Sequence, residues 1–210
     1  MKRCNYLLVL FLLATTGASY AQAKEDYLWS FEGKNRTHEI GLYLGASVHL
    51  TEIDSKLAGS LGAKAGLVFN QRWTLGLAGR AIWYDYRQNK LVSDGTYHLE
   101  AAYSGLMIEY MLPLSKSFNL NFSLLTGAGL AQYRYDHDFR KEQLWYQEII
   151  DRETFSVFEP GVEIAIKIGE RSHLGLQVTY RSTSPIQLKD TEEQLLSNAT
   201  AGITYRYAIF

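Results

Sequence analysis

The chain has 210 residues, 21 Lys+Arg against 22 Asp+Glu, with 47% hydrophobic and 13% aromatic side chains. A formal charge of −1 supplies no global basic field for nucleic acid, and apolar content this high with balanced charge excludes a disordered chain. The 17 glycines and 15 tyrosines, beside only 3 prolines, favour extended strands in a single domain.

Residues 1–23 read as a secretory leader. Lys2 and Arg3 precede an apolar stretch from Tyr6 to Ala14, and small residues follow, with cleavage after Ala21 or Ala23 both fitting. The apolar core is well short of the ~20 residues a spanning helix needs. Removing the leader takes away Cys4, the only cysteine, so no disulfide is expected in the mature chain. Residues 24–37 hold a short aromatic cluster, Tyr27, Trp29 and Phe31, and are expected to form a periplasmic N-terminal segment.

From residue 38 onward the sequence alternates with period two, the pattern of strands with unlike faces. The first block sets Ile40, Leu42, Leu44, Ala46 and Val48 against Glu39, Gly41, Tyr43, Gly45 and Ser47. Later blocks repeat it: Phe118, Leu120, Phe122 and Leu124 oppose Asn119, Asn121 and Ser123, and Leu174, Leu176 and Val178 oppose Gly175, Gln177 and Thr179. Eight strands are predicted, near 38–50, 58–69, 73–84, 97–112, 118–133, 155–168, 173–181 and 196–209. The links at 70–72, 113–117 and 169–172 are tight. Those at 51–57, 85–96, 134–154 and 182–195 are longer and carry many charges. Short and long links alternate, as in an up-and-down antiparallel barrel crossing an outer membrane, with its termini and tight turns on the periplasmic side.

A soluble barrel would reverse the faces. Four features favour the membrane, the first being export without a disulfide, which small soluble secreted domains often use as a staple. The polar face is rich in glycine (Gly62, Gly66, Gly127, Gly161, Gly175), which suits a narrow lumen. Aromatics sit near strand ends, as interfacial girdles do: Phe69, Trp73, Tyr110, Phe118 and Tyr207 by the tight turns, Trp83, Tyr84, Tyr133, Phe158 and Tyr180 toward the long loops. The last strand ends Thr204-Tyr205-Arg206-Tyr207-Ala208-Ile209-Phe210. Gly202, Tyr205, Tyr207 and Phe210 resemble the C-terminal assembly signal of bacterial outer-membrane barrels, which implies the barrel assembly machinery as a partner. Phe210 is one residue out of phase with the apolar alternates and is expected to overhang the periplasmic rim. From residue 38 to 210 the chain is similar to the small eight-stranded outer-membrane barrels of the OmpA, OmpX and OmpW type. The resemblance implies an all-β, eight-stranded antiparallel transmembrane barrel in the outer membrane, among lipids and lipopolysaccharide.

Placing Leu106, Ile108 and Leu112 outward puts Glu109 in the lumen, the cheaper site for a carboxylate. In this register Glu39, Lys64, Arg80, Glu109, Glu159, Glu163, Lys167, Arg181 and Arg206 face inward. Acids and bases are nearly equal in number, so a mutually neutralising network filling the barrel is expected. A narrow path for ions or hydrophobic solutes, of the OmpW kind, is the first alternative. A lipid A-modifying enzyme is the second. A PagL-type deacylase carries His and Ser two residues apart on a late strand, whereas here His173 and Ser182 are ~30 Å apart along an extended chain. The palmitoyltransferase type begins with an amphipathic helix, and 24–37 offers only its short aromatic cluster. Asp136, His137 and Asp138 point alternately and cannot by themselves converge on a metal, and Gly127-Ala128-Gly129 lacks the helix a phosphate cradle needs. No catalytic residue, metal site or cofactor is expected. The loop at 134–154 mixes Arg140 and Lys141 with Trp145 and Tyr146. It is expected to protrude as a hairpin and is a candidate contact surface for an extracellular partner.

Overall fold

A computed structural model describes residues 40–54, 56–70, 72–88, 96–135, 149–169, 171–189 and 193–209, with 85–88 and 208–209 in backbone only. The leader at 1–23, the segment 24–37, Glu39, the loop residues Asp136, His137, Asp138, Arg140, Lys141, Trp145 and Tyr146, and Phe210 lie outside the described residues. The strands are β1 (Ile40–Ile53), β2 (Lys56–Phe69), β3 (Trp73–Gln88), β4 (Tyr97–Pro113), β5 (Phe118–Tyr135), β6 (Ile149–Lys167), β7 (Ser172–Tyr180), β8 (Ser182–Thr183) and β9 (Ala199–Ile209). Each pairs antiparallel with its neighbour, β5 pairs β6, and β9 bridges β7 to β1, so the sheet closes into a ring.

The nine segments occupy eight ring positions. β8 continues the line of β7 along β6 with no change of register, since Gly161↔Thr179 is followed by Phe158↔Ser182. The break falls where Pro160, which has no N–H to give, lies opposite the β7 end. The tight turns after β2, β4 and β6 lie at the same end as the start of β1 and the end of β9, which pair at Leu42↔Ile209.

One expected long link is short. The segment 51–57 is a two-residue hairpin closed by Ile53↔Lys56. Asp54 takes a φ of 48°, a left-handed conformation that Asp tolerates in tight hairpins. Glu52, Asp54 and Lys56 look like a loop in sequence, yet Thr51 and Ile53 stay buried right up to the turn. β3, β5 and β6 also run further than expected at this end, and β9 starts later, because Leu196 turns into the barrel and is fully buried.

The outer wall is apolar. Leu42, Leu44, Leu77, Leu106, Ile164, Leu176 and Ile203 are all exposed. On β4 the outward residues from Leu112 up to Ala102 cover about eleven positions, which at ~3.3 Å per residue and ~45° tilt make a band about 25 Å tall, the height a bilayer requires. Trp73, Phe118 and Tyr207 face out near the turn end, and Trp83, Phe158 and Tyr180 near the loop end. Tyr84 and Tyr133, expected in the outer girdle, instead point inward and are 2% and 3% exposed. Strand parity explains this: each is one residue off the outward phase of its strand.

Inside, the strands approach closely where glycines oppose each other. Gly105 and Gly127 are paired across β4 and β5, and a Cβ on either would lie 2.1 or 2.0 Å from a backbone carbonyl of the facing strand.

Candidate functional site

Four strands send charged side chains to one level of the lumen. Lys64 (β2) lies 2.8 Å from Glu109 (β4) and 3.6 Å from Glu163 (β6). Arg206 (β9) uses one guanidinium to span both carboxylates, with Nη1 at 3.1 Å from Glu109 Oε2 and Nη2 at 2.9 Å from Glu163 Oε2. No side chain of this quartet is more than 9% exposed. The Tyr43 hydroxyl donates to Glu109 Oε2 at 2.7 Å, and the Asn121 amide donates to Glu163 Oε1 at 3.1 Å. Four carboxylate oxygens thus find cationic, hydroxyl or amide donors, the condition on which buried charges persist.

A second group stands nearer the loop end. Arg80 Nη1 is 2.8 Å from Glu159 Oε1, and the Tyr103 hydroxyl donates to Glu159 Oε2. The same guanidinium reaches Thr179, Thr200 and Gln177 at 3.3–3.4 Å, and His49 Nε2 sits 3.1 Å from Gln177 Oε1. A cavity of about 30 Å³ separates the two groups and is lined by Lys64, Glu109, Arg80, Glu159, Ser123 and Gln177 among others. That is room for water and little more.

Above these groups the lumen turns apolar. Tyr84, Tyr97, Leu99, Tyr133, Phe155 and Val157 pack with Ile186, Leu188 and Leu196, which lie between β8 and β9. Arg181 is fully buried in this stratum. Its Nε donates to the Leu196 carbonyl at 2.5 Å, and its guanidinium carbon lies 5.8 Å from the centre of the Tyr103 ring.

Of the charged residues expected inside, Lys64, Glu109, Glu163 and Arg206 form one cluster and Arg80 with Glu159 another. Arg181 faces inward but contacts a carbonyl and a ring in place of a carboxylate. Lys167, at the turn end of β6, is exposed and paired in register with His173, outside both clusters. Glu39 lies outside the described residues. Gly202 opposes His49, and Tyr205 and Tyr207 face outward at the turn end, with the Tyr205 hydroxyl 3.1 Å from Ser172 Oγ. Sequence reasoning missed Tyr43, Tyr103, Asn121 and Gln177 as network members. Alternation places each of them inward but does not show which group it reaches: Tyr43 and Tyr103 meet carboxylates two or more strands away, Asn121 meets Glu163 on the neighbouring strand, and Gln177 meets His49 and Arg80.

No protein-family model matches the chain, and no curated protein matches it in sequence. Among solved structures, Neisserial surface protein A (NspA) superposes with a TM-score of 0.55 at 8% identity, over 82% of this chain and 99% of its own. Ail, the attachment invasion locus protein of Yersinia pestis, gives 0.49 at 11% identity, over 81% and 97%. OprG from Pseudomonas aeruginosa gives 0.43 at 12% identity, over 81% and 95%. At such identities the likeness is one of fold. Together with the closed ring and its apolar outer belt, the NspA likeness gives this chain the fold of a small outer-membrane β-barrel.

Proposed function

We propose that the chain is a non-catalytic outer-membrane barrel with a closed lumen, acting as a structural or surface-interaction protein through its outer end. The observation that carries this is the quartet of Lys64, Glu109, Glu163 and Arg206, tied across the lumen from four strands with almost no exposure. An eight-strand circumference leaves only enough interior for side chains, and here they occupy it. The apolar stratum under Ile186, Leu188 and Leu196 forms a second seal above.

On this reading residues 1–23 direct export and 24–37 stay on the periplasmic side. The C-terminal strand, through Gly202, Tyr205, Tyr207 and Phe210, engages the barrel assembly machinery. Lipids and lipopolysaccharide surround the belt. The 134–154 loop, with Arg140, Lys141, Trp145 and Tyr146, offers the anchor types that contact an extracellular partner.

Planar-bilayer recording tests the closed lumen. The refolded protein is expected to give no steady conductance, and reproducible unitary steps would overturn the reading in favour of a narrow channel. Lipid A from cells with and without the protein is expected to have the same acyl pattern by mass spectrometry. A protein-dependent change would replace the non-catalytic role with an enzymatic one.

A further inference from the structure

Polar groups also gather on the outside of the barrel, where β4, β5 and β6 leave the apolar belt. Glu100, Gln132 and Arg152 are register partners across these three strands, and His98 and Arg134 are partners one outward step further on. All five face away from the lumen. Gln132 donates to Glu100 Oε2 at 3.0 Å, and His98 Nε2 lies 3.2 Å from Glu100 Oε1. Arg134 Nη1 is 3.5 Å from the same carboxylate, and Arg152 Nη2 donates to Gln132 Oε1 at 3.3 Å. The hydrogen bonds run in one chain from His98 to Arg152. The group therefore forms an ordered ledge.

Two facts give the ledge a direction. Glu100 and Gln132 each come one outward step beyond the last apolar residue of their strand, Ala102 and Leu130, so the ledge stands at the headgroup level of the outer leaflet. Two of its five members, Arg134 and Arg152, are arginines, whose guanidiniums keep their charge and present several donors in a fixed fork. Arg152 is exposed, and one 3.3 Å bond to Gln132 leaves most of its donor fork for something outside. Below the ledge the wall is recessed: Gly79, Ser104, Ala128 and Ser156 are register partners with little side chain. Acyl chains can pack close to the backbone there while a headgroup rests above them.

We infer that this ledge is a docking site for a phosphorylated glycolipid of the lipid A type, with Arg134 and Arg152 holding its phosphate. Guanidinium forks match phosphate geometry with paired, charge-assisted hydrogen bonds, which a lysine in their place would not reproduce. Glu100 and Gln132 position the two arginines and do not themselves take the phosphate. The site rests on the outer-membrane reading above, since it needs the belt embedded in a bilayer, but it does not require a closed lumen.

The test uses the full barrel refolded in phosphatidylcholine vesicles, with thermal unfolding followed by loss of the compact gel band. Titration with bisphosphorylated lipid A is expected to raise the midpoint in a saturable way, while dephosphorylated lipid A and inorganic phosphate do not. In an Arg134→Gln, Arg152→Gln double variant, half-saturation is expected at a lipid A fraction at least tenfold higher, each protein's shift being read from its own midpoint in phosphatidylcholine alone. Arg152→Lys is expected to fall between the two. Equal shifts from phosphorylated and dephosphorylated lipid, an equal shift from inorganic phosphate, or an unaltered response of the double variant would each overturn the inference. Conductance is read separately. A conducting barrel that still distinguishes the two lipids defeats only the closed lumen, and a silent barrel that does not distinguish them defeats only the ledge.

Discussion

Arg206→Ala is expected to destabilise the folded barrel by about 3–5 kcal/mol, the range for removing one partner from a buried ionic cluster. Arg206 is 3% exposed and its guanidinium contacts both Glu109 and Glu163. Without it, two buried carboxylates share Lys64 alone, and Lys64 is 3.6 Å from Glu163. The penalty is the desolvation of a charge left without its counter-charge, which the low-dielectric lumen magnifies. Arg206→Lys should lose part of the same stability, because an ammonium cannot present a fork to two carboxylates. Combining Arg206→Met with Glu163→Gln restores the balance of Lys64 with Glu109 and should recover most of the loss. Urea unfolding from phospholipid vesicles measures all three. A loss below about 1 kcal/mol for Arg206→Ala, the range of solvent-screened pairs, would mean that water fills the lumen at this level.

The second large effect is on the outer wall. Leu106 is 60% exposed in the isolated chain, so in a soluble protein an arginine there would be nearly free. In a bilayer it stands on the lipid face within the belt, and Leu106→Arg is expected to cost ~2–4 kcal/mol. Leu57 supplies the control. It is 72% exposed but sits beside the β1–β2 hairpin at the outer tip, where the depth-dependent penalty falls to roughly 0–1 kcal/mol. The two variants, unfolded side by side, separate burial in lipid from exposure to water.

Much of this architecture is legible in the sequence because the period of a strand is two. Once Glu109 is set inward, Leu106, Ile108 and Leu112 must face out, and the same logic carries Lys64, Arg80, Glu159, Glu163 and Arg206 to the inside. Which of them meet was not legible. Lys64, Glu109, Glu163 and Arg206 converge through register and shear across non-neighbouring strands, and neither is written in the local pattern. The apolar outer stratum was hidden for a different reason. Tyr84 and Tyr133 carry the residue type of an interfacial girdle, and only their parity shows that they face inward. Ile186, Leu188 and Leu196 sit in a stretch whose neighbours Lys189, Glu193 and Gln194 read as a solvated loop. The first hairpin was missed because Asp54 and Ser55 are not the Asn-Gly or Asp-Gly pair that marks a two-residue turn.

The central claim is which face of the sheet meets lipid, and β7 tests it most directly, since its buried and exposed residues alternate without a break and Cys4 is the only native cysteine. Single cysteines placed in turn from Leu174 to Tyr180 in a Cys4→Ser chain can carry a nitroxide in reconstituted vesicles. Collision with oxygen dissolved in the bilayer should be high at Leu174, Leu176, Val178 and Tyr180 and low at Gly175, Gln177 and Thr179. High access of a water-soluble nickel reagent at the leucine positions, or an alternation of the opposite phase, would contradict the account.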